Sequence, residues 1–252
     1  MARPQTRNDE ELQNGEGIDI VLCIDVSGSM MAQDLKPDRM EAAKQVAANF
    51  VAGRATDRIA VVIFSGESFT VVPLTTDKQL LQSQIYAIQR GMLIDGTAIG
   101  DGLGVSVDRL RNSPSKSKVI ILLTDGENQG GRIDPLAGME LAKSYGIRVY
   151  TIGVGSEGFA PVPVQMPNGM VSMQQQKVNI DEKLLRRIAD ETGGLYFRAR
   201  DNESLRKIYD DINRLEKSKV EVTTLKRYTE QFYPLALLSA AFLLLEIILN
   251  AT

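Results

Sequence analysis

Apolar positions in this chain fall in short, almost unbroken runs, most clearly over 18–24 and 119–123, separated by stretches where they recur at a helical period. Runs of that kind suit strands buried on both faces, because a strand with one wet face alternates instead. The pattern predicts strands over 18–25, 58–64, 69–72, 118–124, 148–153 and 195–198, and helices over 38–53, 77–88, 99–110, 135–145, 181–192 and 203–215. Alternating strands and helices imply a three-layer, doubly wound α/β domain whose six-stranded sheet is mostly parallel. The short run at 69–72, close behind Phe64, suits one antiparallel edge strand.

Outside that alternation the chain changes character. Residues 1–17 are polar, with Asp9, Glu10 and Glu11 in a row and no apolar stretch able to serve as a signal peptide, and they read as a linker before a domain over 18–217. Residues 158–177 fit neither period. Pro161, Pro163 and Pro167 should break any ladder there, so a surface hairpin turning at Pro167-Asn168-Gly169 is expected; the alternative is a partner-binding insertion using Met166, Met170 and Met173. After a juxtamembrane segment over 218–231, the stretch 232–250 carries few polar residues, Ser239 and Glu246 among them. At a helical rise of ~1.5 Å its apolar part spans roughly 27 Å, the length of a transmembrane helix. Lys226, Arg227 and Tyr228 just before it read as an interfacial anchor.

Composition removes several chemistries. The chain has 252 residues, a net charge of -3 and no histidine, so no basic field argues for nucleic acid, and His-based triads, the usual zinc sites and the commonest general base are all missing. The single cysteine, Cys23, lies inside an apolar run and reads as a buried core thiol. Gly153 to Gly158 spells the dinucleotide fingerprint, but Phe159-Ala160-Pro161 follows instead of a helix, so no helix N-terminus awaits a pyrophosphate.

What remains is oxygen chemistry. Asp25-Val26-Ser27-Gly28-Ser29, at the end of the first apolar run, puts a carboxylate and two hydroxyls at alternate positions of one tight loop, a donor set suited to Mg²⁺. Alone it would be turn chemistry. Two further segments, Gly96-Thr97 before a helix and Thr124-Asp125-Gly126 after a strand, belong at the same edge, where open α/β sheets place their sites.

The trio resembles the metal-ion-dependent adhesion site of von Willebrand factor A (VWA) domains, a Rossmann-like fold that includes the integrin I domains. The likeness runs from about residue 18 to 215 and is closer still to the membrane-anchored bacterial aerotolerance branch. Ala2-Arg3-Pro4-Gln5, Leu123 to Asn128, Ile133-Asp134-Pro135, Tyr150 to Gly155 and Thr192-Gly193-Gly194 carry that closer match. The resemblance implies that Ser27, Ser29 and Thr97 contact the metal through hydroxyls and that Asp25 and Asp125 bind it directly or through water. It implies Mg²⁺, with Mn²⁺ or Ca²⁺ as substitutes, and a partner protein that supplies a Glu or Asp to the open position. It further implies two spans before residue 1, an envelope-stress or assembly role at the bacterial inner membrane, a periplasmic domain, and company with other membrane VWA proteins and a MoxR-type AAA+ ATPase. Lys226 and Arg227 lean the other way, towards a cytoplasmic domain.

The expected function is a membrane-anchored, metal-dependent interaction module and not an enzyme. The alternative is a Mg²⁺-dependent, phosphatase-like hydrolase with Asp25 as nucleophile. It lacks a proton donor, since the position two residues on is Ser27. A third reading makes the chain a structural membrane subunit whose metal only fixes its loops. Glu127 and Gln129, just past Asp125, are candidates for the rim of the site.

Overall fold

A computed structural model describes residues 5–10, 17–54, 56–156, 158–165, 171–178, 180–217, 225–230, 243 and 246–249. Two compact units are present, one over 16–220 and one made of 1–15 with 221–252. In chain order the elements are β1 (Gln5–Glu10), β2 (Asp19–Asp25), α1 (Arg39–Ala52), β3 (Arg58–Phe64), β4 (Ser68–Thr75), α2 (Lys78–Ala87), α3 (Ile99–Leu110), β5 (Lys118–Thr124), α4 (Pro135–Ser144), β6 (Arg148–Val154), β7 (Gly158–Gln165), β8 (Val171–Val178), α5 (Glu182–Thr192), β9 (Tyr196–Ala199), α6 (Asn202–Lys217) and β10 (Leu225–Glu230).

The larger unit holds the expected six-stranded sheet in the order β4-β3-β2-β5-β6-β9. All its pairings are parallel except β3 with β4. The antiparallel edge strand is longer than the 69–72 run suggested, because two register shifts against β3 let it continue to Thr75. Every residue of β2 is buried, and its side chains divide by parity. Ile20, Leu22 and Ile24 join Val46 and Phe50 of α1 and Ile208 and Ile212 of α6, whereas Val21 and Cys23 join Leu103 and Val107 of α3, Met139 of α4 and Ile188 of α5. Two apolar layers on one sheet explain why the central runs show no alternation.

Helix starts follow from short acidic caps. The side chains of Asp38, Asp77, Asp134 and Asp181 each accept a backbone N–H in the first turn of the helix they precede, and α5 ends at Gly193 in the left-handed region. Helix α3 needs glycine for another reason: a Cβ on Gly100 would lie 2.0 Å from the Ile133 carbonyl oxygen. Gly100→Ala is therefore expected to destabilise by about 1–3 kcal/mol in a urea melt, even though alanine favours the helix by about 1 kcal/mol. A neutral or stabilising result would show that the 133–134 backbone yields easily.

The 158–177 region agrees with the expected hairpin and corrects the expectation that its prolines break any ladder. β7 and β8 form a true antiparallel hairpin, with Pro161 opposite Gln175 and Pro163 opposite Met173. The prolines are tolerated because they stand two apart, so both lack an N–H on the same, outward side of the strand. The Pro161 carbonyl, pointing that way, accepts the Gln33 N–H at 3.0 Å, and Ala160 and Val162 are buried with Ala32. The turn at 167–169, with Met166 and Met170, lies outside the described residues; Met173 is exposed.

In the smaller unit, β1 pairs antiparallel with β10, Gln5 opposite Glu230 and Asp9 opposite Lys226. The stretches read as linker and juxtamembrane segment thus meet as a ribbon. Among the described residues no helix is long and apolar enough to cross a membrane. Most of 232–250, on which the transmembrane reading falls, lies outside them.

Candidate metal and ligand site

β2, β5 and the start of α3 bring the three oxygen-bearing segments to the carboxyl edge of the sheet. Asp25, the last residue of β2, is wholly buried: one carboxylate oxygen accepts the Ser27 N–H at 2.9 Å and the other the Thr124 hydroxyl at 2.6 Å. A 3₁₀ turn over Gly28–Met31 follows, and it places the Ser27 and Ser29 hydroxyls 3.0 Å apart. Ser29 Oγ donates to Asp125 Oδ1 at 2.7 Å, joining the β2 loop to the β5 loop.

Thr97 arrives two residues before α3, on a loop sewn to its neighbours. Ala98 N–H donates to the Ser65 carbonyl at 2.6 Å, Gln129 N–H to the Thr97 carbonyl at 2.8 Å, and Ile99 N–H to Asn128 Oδ1 at 3.0 Å. Asp95 clamps the same loop to the first, accepting the Gly28 N–H at 2.9 Å. Ser27, Ser29 and Thr97 line an open cavity of about 610 Å³, and the buried Asp25 and Asp125 are hydrogen-bonded to Ser27 and Ser29 of that lining. All five candidate residues therefore converge. Of the two rim candidates, Gln129 lines the cavity; Glu127 is exposed.

One residue of the site had no sequence signal beyond its neighbour Asp38. Arg39, the first residue of α1, is fully buried and donates through Nη1 to Asp125 Oδ2 at 2.7 Å and through Nε to Asp34 Oδ1 at 2.7 Å. Asp34 in turn accepts the Ser156 N–H at 2.7 Å, which ties the ion pair to the base of the β7-β8 hairpin. Gly155 covers the guanidinium: at φ 123° a Cβ there would lie 2.5 Å from Arg39 Cζ.

The electrostatics follow from burial. Loss of water, and next the charge of Asp125, push the Asp25 carboxyl from its ordinary 3.8 up to about 7, against the pull of hydrogen bonds from Ser27 and Thr124. Burial also raises Asp125, opposed by Arg39 and Ser29. For Asp34 burial is outweighed by Arg39 and Ser156, and its carboxyl falls to about 2. Asp34 and Asp125 thus share one buried guanidinium, whereas Asp25 has no cationic partner among the described residues and is held by Ser27 and Thr124. Among the described residues no three His, Cys, Asp or Glu side chains cluster as an all-acidic or nitrogen-rich metal site. The donors are mixed hydroxyl and carboxylate oxygens, which fit a hard divalent cation such as Mg²⁺.

A mostly parallel, doubly wound sheet covered by helices on both faces defines a three-layer α/β domain, with this cluster at its carboxyl edge. The von Willebrand factor type A domain model matches residues 19–211, and the chain belongs to that family. Over 217 residues it is 29% identical to an uncharacterized protein of Borreliella burgdorferi, covering 86% of this chain and 64% of that one. An aerotolerance-related membrane protein from Bacteroides fragilis shares the fold at a TM-score of 0.67 and 29% identity, over 79% of this chain and all of its own. BatB from Bacteroides thetaiotaomicron does so at a TM-score of 0.65 and 28% identity, over 80% of this chain and all of its own. The family and its aerotolerance-type relatives thus agree with the resemblance carried by the sequence motifs. The chain spans about three fifths of the length of the curated relatives it matches.

Proposed function

We propose that the domain is a divalent-metal-dependent protein-interaction module in which Ser27, Ser29 and Thr97 hold the cation with Asp25 and Asp125, and a carboxylate from a partner protein completes the site. The observation that carries this reading is the convergence of those five side chains beside an open cavity, with two buried carboxyl groups, Asp25 and Asp125, close enough to repel one another when ionised. A divalent cation would offset that charge and supply an electrophile for an incoming acidic group. The chain's own part is to keep the hydroxyls in place and the carboxylates dry: the 3₁₀ turn sets Ser27 and Ser29, Asp95 locks the two loops together, and Arg39 orients Asp125. The hydrolase alternative gains no support from this geometry, since the side chain two residues past Asp25 is the Ser27 hydroxyl, which hydrogen-bonds Ser29 and is no acid for a leaving group.

We further propose that the module is tethered to a bacterial inner membrane by residues 232–250, with the domain in the periplasm and other membrane VWA proteins or a MoxR-type ATPase among its partners. Support comes from the Bacteroides fragilis relative, which is a membrane protein. It comes also from the helical residues 246–249, whose Ile247, Ile248 and Leu249 are each more than 60% exposed. The register of β1 with β10 brings residues 5 and 230 to the same end of the ribbon. Lys226 and Arg227 are strand residues of that ribbon, which weakens their value as a topology signal.

The test is calorimetric. Wild-type protein should bind Mg²⁺, and Ser29→Ala should bind it roughly tenfold or more weakly with its thermal midpoint little changed. Partner retention from detergent-solubilised membranes should disappear in Ser29→Ala and in chelator. Equal retention by wild type and variant, with and without chelator, would leave the metal no recruiting role.

A further inference from the structure

Two features of the cavity play no part in holding a cation: the Arg90 guanidinium and the wall made by Val162 and Pro163. Arg90 lies on the exposed stretch between α2 and Thr97, and a Cβ on Gly28 would sit 3.6 Å from its Nη2, so the guanidinium overhangs the Ser27-Gly28-Ser29 turn. Among the described residues it has no hydrogen-bond or ion-pair partner. Its acidic neighbour in the cavity, Asp95, accepts the backbone N–H groups of Gly28 at 2.9 Å and Gly96 at 3.1 Å through Oδ1 and makes no ion pair with Arg90, although its Oδ2 faces the same Gly28 position. The hairpin wall is fixed in place by the Gln33 to Pro161 hydrogen bond and by the burial of Ala160 and Val162 against Ala32. Anything entering the cavity meets the Ser27, Ser29 and Thr97 hydroxyls, the Arg90 guanidinium with the Asp95 carboxylate near it, and the wall of Val162 and Pro163.

We propose that Arg90 is the specificity-determining residue of this site, and that the partner presents two carboxylates, one for the metal and one for Arg90, on a segment seated against Val162 and Pro163. The proposal rests on the metal-dependent reading above. Charge complementarity carries it: a planar guanidinium with five donors matches a carboxylate in two-point fashion, and an exposed pair of this kind contributes a modest but selective gain. A partner with a single acidic residue would satisfy the metal and leave Arg90 unused.

The experiment titrates the full chain, in Mg²⁺, with straight-chain diacids from succinate to pimelate, each against its own monoamide as a size-matched probe. At least one diacid should bind wild type about fivefold more tightly than its monoamide. In Arg90→Gln the ratio should fall to the statistical factor of about two for two equivalent carboxylates, and Arg90→Lys should regain part of it. Mg²⁺ affinity, measured in parallel, should not fall in Arg90→Gln. A ratio of two or less in wild type across the series, or a ratio unchanged in Arg90→Gln, overturns the role of Arg90 while leaving the metal reading intact. A diacid preference that needs Arg90 but survives chelation keeps the anchor and overturns the metal reading instead. Failure of wild type to bind Mg²⁺ with no diacid preference overturns both.

Discussion

Arg39→Ala is expected to lower the stability of the domain by about 3–5 kcal/mol, the largest loss foreseen for any single side chain in the site. The guanidinium is fully buried between Asp125 and Asp34, so truncating it leaves two carboxylates without their cation, one of them deep in the interior. Arg39→Lys should fall between the two, because an ammonium keeps the charge but cannot bridge two carboxylates in one plane. Excess Mg²⁺ should restore part of the loss in Arg39→Ala, since a cation beside Asp125 replaces some of the missing charge. Urea melts with and without Mg²⁺, read at constant m-value, provide the measurement. A loss below about 1 kcal/mol would mean that the buried pair contributes orientation only.

The second large effect concerns pH. With its carboxyl raised to about 7, Asp25 is protonated in the folded, metal-free domain over a range where the unfolded chain is already ionised. The folded state then binds more protons, so stability is highest near pH 4, falls as pH rises towards 7, and is flat beyond it. The size is on the order of 2–4 kcal/mol across that window. The chain has no histidine to mask the effect, and Asp125, which burial also raises, acts with the same sign. Asp34 acts with the opposite sign and lower down: its carboxyl, depressed to about 2, contributes stability that is lost only as pH falls below about 4. Saturating Mg²⁺ should remove the fall between pH 4 and 7, because the ionised carboxylate becomes the favoured form. Thermal melts across pH 4–8 that show no decline without metal, or the same decline with it, would contradict this assignment.

Much of this molecule is legible in its letters, for local reasons. The central strands show as unbroken apolar runs because both faces of β2, β3 and β5 are covered, and the helix starts show because an aspartate caps α1, α2, α4 and α5. Ser27, Ser29, Thr97 and Asp125 could be picked out because each stands where a strand pattern ends or a helix pattern begins, and in this topology those points share one edge. The hairpin over 158–178 was expected from its turn residues, but its ladder was obscured by prolines whose harm depends on which way their missing N–H points, and that is set by pairing with a partner strand. The ribbon of Gln5–Glu10 with Leu225–Glu230 joins segments at opposite ends of the chain, and neither polar stretch signals the other.

Arg39 marks the boundary most sharply. In sequence it is an ordinary first-turn residue after a capping aspartate, and a charged side chain there is normally solvated. Only the packing of α1 beside the end of β5 carries Asp125 to it and closes Gly155 over it, turning a surface charge into a buried ion pair that orients the site. The sequence by itself thus determined the sheet, its order of layers and the oxygen donors, because burial periodicity and end-of-strand position are properties of short segments. The tertiary structure decided the charge balance of the site, the hairpin wall and the unpaired Arg90 above it, because those depend on which distant groups lose water together.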